Sequence, residues 1–236
     1  MPVVTVAAAK GGVGKTTLAY EIAAALGGVL VDFDWDLGGA TRMWGYDAQA
    51  HKRAPLLDAL EAGPDGKPPT PRTRPNQPSL VPSHRDLAAS SIDESLVSDC
   101  LAAWTEAWGD RMVVVDTHPG ANPLTDGAVH AADLVVIPVV LGSREMDALE
   151  GMLHDFHEYR LLIAPTMVPR VPPRRLFDRL KGMVDGIPVA PPISDHRWLK
   201  RRLRRSALTL QPNPGEQVGH AAAEFRAVAQ AVEKEL

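Results

Sequence analysis

Cysteine is almost absent from this chain. Cys100 is the only one in 236 residues, so no intrachain disulfide can form and no Cys-x-x-Cys pair exists to hold zinc or an iron–sulfur cluster. A reducing, cytoplasmic setting is expected. Long apolar runs are missing as well. No stretch approaches the ~18 residues that would span a bilayer. The opening MPVVTVAAAKGG has no charged leader region and is not read as a signal peptide. A positive net charge is also lacking: the formal value is −4, which by itself argues against a nucleic-acid binder. The distribution argues the other way. Between Arg160 and Arg205 lie twelve Lys/Arg and three Asp/Glu, while the rest of the chain is strongly acidic. Such polarity points to a basic face that meets a polyanion.

What the chain does contain is a recurring alternation. With 45% hydrophobic residues it suits one globular α/β domain over residues 1–236. Runs rich in Val and Ile at 2–9, 28–34, 111–116, 133–140 and 160–165 read as buried strands. Helical patterns separate several of them, at 16–26, 92–108 and 143–158. Continuous apolar strands between helices predict a mostly parallel central sheet with helices on both faces. A proline-rich insertion around 63–82 reads as an exposed loop with extended pieces, and 79–88 as carrying a short strand.

The stretch AAAKGGVGKTTLA, residues 7–19, carries the chemistry. It runs from a strand into a helix, and its end, Gly14-Lys15-Thr16, closes a phosphate-binding loop. Ala9 stands where the ordinary pattern has its first glycine. Gly11, Gly12 and Gly14 let the backbone around Val13 turn its N–H groups toward phosphate oxygens, and the helix start adds its dipole. Lys15 is expected on the β- and γ-phosphates, Thr16 on Mg²⁺ and Thr17 on the α-phosphate. Phosphoryl transfer also needs an acidic group for the metal at another strand end. VVVDTHPG supplies Asp116, and VDFDWD supplies Asp32, Asp34 and Asp36, one of which is placed to orient the attacking water.

The lysine at the front of the loop, Lys10, is not needed by this pattern. It is explained by a resemblance: KGGVGKT, residues 10–16, is similar at every position to the K-G-G-x-G-K-[ST] signature of the ParA/MinD family of deviant Walker-A ATPases. VLVDFD, VVVDTHPG and ADLVVIPVVLGSREMDALEG resemble the segments that follow in that family. The resemblance implies an ATP- and Mg²⁺-dependent sandwich homodimer and a weak ATP hydrolase stimulated by a partner. Lys10 would reach the partner subunit's phosphates, Asp34 would orient the water, and Asp32 would support the metal site. Three features depart from the family pattern. Trp35-Asp36 replaces Pro-Gln after Asp34. His118 replaces a proline after Asp116 and is read as a surface-loop histidine. The adenine-binding asparagine is missing, so the base is expected on backbone near Pro165 to Pro169.

Branches of the family differ in cargo. A single cysteine does not supply the cluster of the nitrogenase-reductase branch. The C-terminal GHAAAEFRAVAQAVEKEL is too acidic for a membrane anchor and reads as a helix packed on the domain, with Phe225, Val228, Val232 and Leu236 at helical spacing. The basic segment around 170–205 resembles the DNA-binding region of the partition ATPases. HRWLKRRLRR reads as a helix with Leu199, Leu203 and Ala207 on one face. Arg170, Arg174, Arg175, Arg197, Lys200, Arg201, Arg202, Arg204 and Arg205 are the expected contacts to the phosphate backbone of nonspecific double-stranded DNA. No DNA-reading extension precedes the loop, which resembles the small partition ATPases of plasmids or chromosomes. Those are nucleoid-associated and act with a ParB-like centromere-binding protein. The alternative is a MinD-like ATPase that positions cargo on a membrane surface.

Overall fold

The computed structural model describes residues 1–36, 39–202 and 206–236. Its sheet has six strands: β1 (Val3–Val6), β2 (Val29–Asp32), β3 (Ser79–Val81), β4 (Val113–Asp116), β5 (Leu134–Val139) and β6 (Leu161–Pro165). Their spatial order is β3-β2-β4-β1-β5-β6, and every pairing is parallel. The helices are α1 (Lys15–Ala25), α2 (Ala40–Trp44), α3 (Ala48–His51), α4 (Leu56–Glu61), α5 (Glu94–Ala107), α6 (Pro123–His130), α7 (Ser143–Asp155), α8 (Arg174–Met183) and α9 (Glu216–Glu235).

Both faces of the sheet are covered, which is why the strands read as unbroken apolar runs rather than alternating ones. Successive residues feed opposite layers. Val4, Leu30, Val114 and Val136 join Leu18 and Ile22 of α1 and Phe225 and Val228 of α9. Val3, Val29, Val31, Val113 and Val115 join Val97, Leu101 and Trp104 of α5. Local chemistry sets the helix starts. Asp93 accepts the Leu96 amide to begin α5, and Asn122 accepts the Thr125 amide ahead of Pro123 at the first turn of α6. The acidic C-terminal helix packs on the domain as expected through Phe225, Val228 and Val232, which are buried, whereas Leu236 at its very end is exposed. Among the described residues no helix is long and apolar enough to cross a membrane.

The proline-rich stretch is more tightly held than its composition suggests. Arg72 and Leu80 exchange backbone hydrogen bonds of 2.7 and 2.8 Å. The indole N–H groups of Trp44 and Trp108 donate to the carbonyls of Pro78 and Pro69 at 2.9 and 3.1 Å. Arg74 lies over the Trp44 ring, 4.2 Å from its centroid. The prolines rule out a regular strand, and the segment instead lies against edge strand β3, blunting it.

The chain leaves β1 toward β2 and β3, returns to β4 between β2 and β1, and then continues outward through β5 and β6. In parallel α/β sheets the ligand crevice opens at the carboxyl ends of the strands where that direction reverses.

Candidate active site

Three strand ends build the site. The parallel register sets Val6 beside Asp116 and Asp32 beside Asp116. The glycine-rich loop after β1, the acidic loop after β2 and the loop after β4 therefore emerge side by side. Sequence spacing does not reveal this, because β1 and β2 are not neighbours and β4 lies between them.

In the loop, Gly12 has φ +83° and Gly14 has φ +89°. L side chains rarely adopt such values, so these two positions need glycine. Val13 between them is buried, and its carbonyl accepts the Thr166 hydroxyl at 2.7 Å, which ties the loop to the end of β6. Gly11 is exposed, and Thr16 and Thr17 are half-buried at the start of α1. Lys15 is buried, and its Nζ donates to Asp116 Oδ1 at 2.7 Å and to the Thr117 carbonyl. Lys10 is different. Its side chain is exposed and donates to the Arg144 carbonyl on α7 at 2.8 Å, away from its own Lys15 and Asp116.

The carboxylates are unusually dense for a buried region. Asp32 is fully buried, and its two oxygens accept the Asp34 amide at 3.0 Å and the Thr41 amide at 2.6 Å. Burial, and then the Asp116 carboxylate beside it, push Asp32 up to about 8. Burial also raises Asp34, with Lys15 opposing. The folded state thus holds the Asp32 proton more tightly than the unfolded chain, whose value is near 3.8. The stability this contributes is complete below that value and is lost as pH rises toward about 8. Thermal unfolding from pH 5 to 9 is expected to show the wild-type midpoint falling relative to Asp32→Asn. A difference that is flat or opposite in sign would contradict the assignment.

Asp116 Oδ1 is taken by Lys15, but its buried Oδ2 has no hydrogen-bond partner among the described residues. An unpaired carboxylate oxygen at this depth suits a cation or its bound water. Asp116, with the Thr16 hydroxyl at the start of α1, offers hard-oxygen donors of the kind that suit Mg²⁺, whereas both Asp32 oxygens already accept backbone amides.

Next to Gly14 and Thr17 a cleft opens, lined by Thr166, Met167, Ser194, His196 and Phe225. The expected backbone near Pro165 to Pro169 supplies only one wall. The other comes from 193–196, whose last residue, His196, opens the segment expected to be a basic helix. Glu224 of α9 anchors that wall by accepting Ser194 N at 3.0 Å, Ser194 Oγ at 2.6 Å and His196 Nε2 at 2.7 Å. Its pKa is lowered: burial opposes the shift, but these hydrogen bonds outweigh it. His118, read from sequence as a surface-loop residue, instead stacks on Trp35 with ring centroids 3.9 Å apart.

The basic segment differs most from expectation. A single 3₁₀ turn, Arg197–Arg201, replaces the helix, and Arg202 is extended. The cause lies far away in sequence. Glu21, buried in α1, accepts the amides of Leu208 and Thr209 at 2.9 and 3.0 Å and faces Arg202 Nη1 at 3.4 Å. The Asn76 carbonyl accepts the Ala207 amide at 2.7 Å. These bonds hold Arg202 and 207–209 against α1 and the 63–82 segment, and Leu203, expected on the apolar face of the helix, lies outside the described residues. Arg202, with its side chain 11% exposed, leaves the set of free surface cations. Arg204 and Arg205 lie outside the described residues, and Lys200 and Arg201 are placed only as backbone. Arg170, Arg174, Arg175 and Arg197 are exposed.

Comparison with known proteins agrees with this geometry. The family described as AAA domain matches residues 1–167. The chromosome-partitioning ATPase Soj of Thermus thermophilus is 30% identical over 186 residues, covering 75% of this chain and 67% of that protein. An ATP complex of a McdA variant from Cyanothece superposes with a TM-score of 0.76 at 18% identity, over 99% of this chain and 96% of the other. The MinD cell division protein of Aquifex aeolicus superposes with a TM-score of 0.70 at 20% identity, over 100% and 98%.

Proposed function

The chain belongs to the AAA-domain family and is a ParA/MinD-type P-loop ATPase, and from that premise we propose that it is a DNA-segregation ATPase whose ATP-bound dimer holds nonspecific duplex DNA. ATP enters with its base in the cleft beside Met167 and His196 and its phosphates on the loop amides of 11–16. Lys15 exchanges Asp116 for phosphate oxygens. Thr16 and Asp116, with Asp32 behind them, would hold Mg²⁺, which would supply neutralising charge to the phosphates. Asp34 orients the attacking water from the loop after β2.

Lys10 supplies the dimer switch. Its exposed ammonium extends to α7 rather than toward its own phosphate site, where a partner's nucleotide can recruit it as a cation in trans. Lys10→Ala is expected to bind ATP within about threefold of wild type and to remain monomeric with ATP by light scattering. A mutant that dimerises normally would contradict the role.

The observation that carries the DNA reading is the start of α8. Arg174 and Arg175 occupy its first turn, where there is no acidic residue. Cations oppose the helix dipole there, so their placement does not serve helix stability. Arg174 is 96% exposed and only loosely paired with Asp178, at 3.9 Å. One turn after Arg175 and on the same face, Arg179 pins α8 to α7 through Asp147 and Glu150 at 2.8 and 2.9 Å. Arg170, Arg174 and Arg175 stay exposed at and just before the start of α8, a placement that suits phosphate oxygens. A chain carrying both Arg174→Glu and Arg175→Glu is expected to lose ATP-dependent DNA binding by on the order of a hundredfold at moderate salt, with nucleotide affinity unchanged. Unaltered DNA affinity would move the interface elsewhere. Exposed Val171 and Phe177 in the same region favour the second reading, attachment to an anionic membrane. That reading predicts sedimentation with acidic phospholipid vesicles and no DNA binding. A ParB-like partner that triggers hydrolysis and release completes the proposed cycle.

A further inference from the structure

Trp35 and His118 belong to different loops and neither is part of the phosphate cradle. Trp35 follows Asp34 beyond β2, and His118 lies two residues beyond Asp116 at the end of β4. Their rings are stacked nearly parallel, with centroids 3.9 Å apart and an interplanar angle of 7°. Each ring is fixed from behind. Trp35 rests on the core layer that includes Val31 and Phe33. His118 Nδ1 is 2.9 Å from the Pro119 carbonyl, and the His118 carbonyl accepts the Thr125 hydroxyl of α6 at 3.1 Å. The far ring nitrogen, Nε2, lies 3.5 Å from Asp36 Oδ2. The stack, together with the His118–Asp36 contact, joins the loop after β2 to the loop after β4.

Between these anchors sits Asp34. Its amide donates to Asp32 Oδ1 at 3.0 Å, and its own Oδ1 accepts the Asp36 amide at 3.1 Å. One carboxylate oxygen is thus committed to a tight turn that has Trp35 at its centre. The Asp34 carboxylate and the Trp35 ring therefore belong to one short turn.

We propose that the Trp35–His118 stack is a clamp that aims the Asp34 carboxylate at the attacking water, making both residues positioning residues for hydrolysis. The proposal rests on the water-orienting role of Asp34. Nucleotide binding depends on the loop after β1 and on the cleft beside Met167, on the far side of β4 from Trp35, so loss of the Trp35 ring acts on the rate and not on ATP affinity; His118 lies between Thr117 and Pro119, which touch Lys15 and Gly11, so Trp35→Ala is the cleaner of the two alanine tests. A displacement of a reacting group by ~1 Å is enough to cost about a hundredfold in rate.

The test is single-turnover ATP hydrolysis with separately measured ATP affinity, on Trp35→Ala, Trp35→Phe, His118→Ala and His118→Phe. The alanine variants are expected to lose about tenfold or more in rate with ATP affinity unchanged, and the phenylalanine variants, which keep a flat ring in the stack, to stay within about threefold of wild type. The double alanine variant is expected to be no slower than either single one, because each removes the same contact. Fluorescence reads the contact itself. The Trp35 emission, obtained by subtracting the Trp35→Phe spectrum, is expected to change intensity in His118→Ala. Alanine variants that hydrolyse within about twofold of wild type, or a Trp35 emission indifferent to His118, would overturn the clamp. So would a rate loss accompanied by equal losses of ATP affinity and melting temperature that phenylalanine does not restore, since the rings would then only support the fold. Asp34→Ala in the same assay separates the two ideas: a wild-type rate in that variant removes the water-orienting role, whereas a slow Asp34→Ala beside fast clamp variants removes only the clamp.

Discussion

Replacing Lys15 with glutamine is expected to reduce ATP hydrolysis by at least a hundredfold and to weaken ATP binding, while the chain still folds. The lysine is buried and its ammonium is the cation nearest to the inner carboxylates, 2.7 Å from Asp116. It compensates Asp116 in the structure, and in the proposed reaction it would also supply charge to the phosphates. Glutamine keeps a donor for the Thr117 carbonyl but not the charge. Alanine keeps neither and leaves Asp116 beside Asp32 with no cation, and breaking a buried pair in this way costs about 3–5 kcal/mol unless a proton is taken up. Lys15→Ala is therefore expected to melt well below Lys15→Gln, with both inactive. Single-turnover hydrolysis, combined with thermal melts by circular dichroism, checks both statements. A glutamine variant hydrolysing ATP at the wild-type rate would remove the active-site assignment.

The second large effect is expected at Asp34. Asp34→Ala should bind ATP and form the ATP dimer normally, while hydrolysis falls by about a hundredfold to a thousandfold. The reason is positional. Asp34 does not pair with Lys15 within hydrogen-bond distance, and one of its oxygens is used by the Asp36 amide, so its loss leaves the phosphate cradle intact. Burial already raises the pKa of this carboxylate, so its ionised form is held against a desolvation cost, as is common for groups kept for chemistry rather than stability. Size-exclusion chromatography with ATP, followed over hours, is expected to show a persistent dimer where wild type decays. Loss of ATP binding in this variant would reassign Asp34 to the cradle.

Much of the site was legible because it is local. The glycines at 12 and 14, Lys15 and Thr16 are fixed by the conformation of a seven-residue turn. The valine runs report a sheet buried on both faces whatever their order. The rest depends on contacts between residues far apart in sequence. That Asp32 and Asp116 lie side by side follows from β4 inserting between β2 and β1, and no spacing carries that information. The i, i+4 pattern of Leu199, Leu203 and Ala207 is a fair helix signal, but the carboxylate of Glu21 and the Asn76 carbonyl outbid it for the backbone amides of 207–209. Glu224 belongs to the C-terminal helix read only as packed on the domain, yet it accepts three hydrogen bonds that hold one wall of the cleft beside Gly14. Trp35 and His118 were visible only as departures from a family pattern, and their stacking becomes apparent once the two loops are adjacent.

The central claim is that ATP converts this chain into a DNA-binding dimer. Binding to nonspecific duplex DNA, measured over a salt series with ATP, ADP and no nucleotide, tests it most directly. The account predicts tight binding with ATP alone, with log K falling against log salt by about 0.9 for each phosphate contacted. Equal affinity in all three nucleotide states, or no binding in any of them, would contradict it.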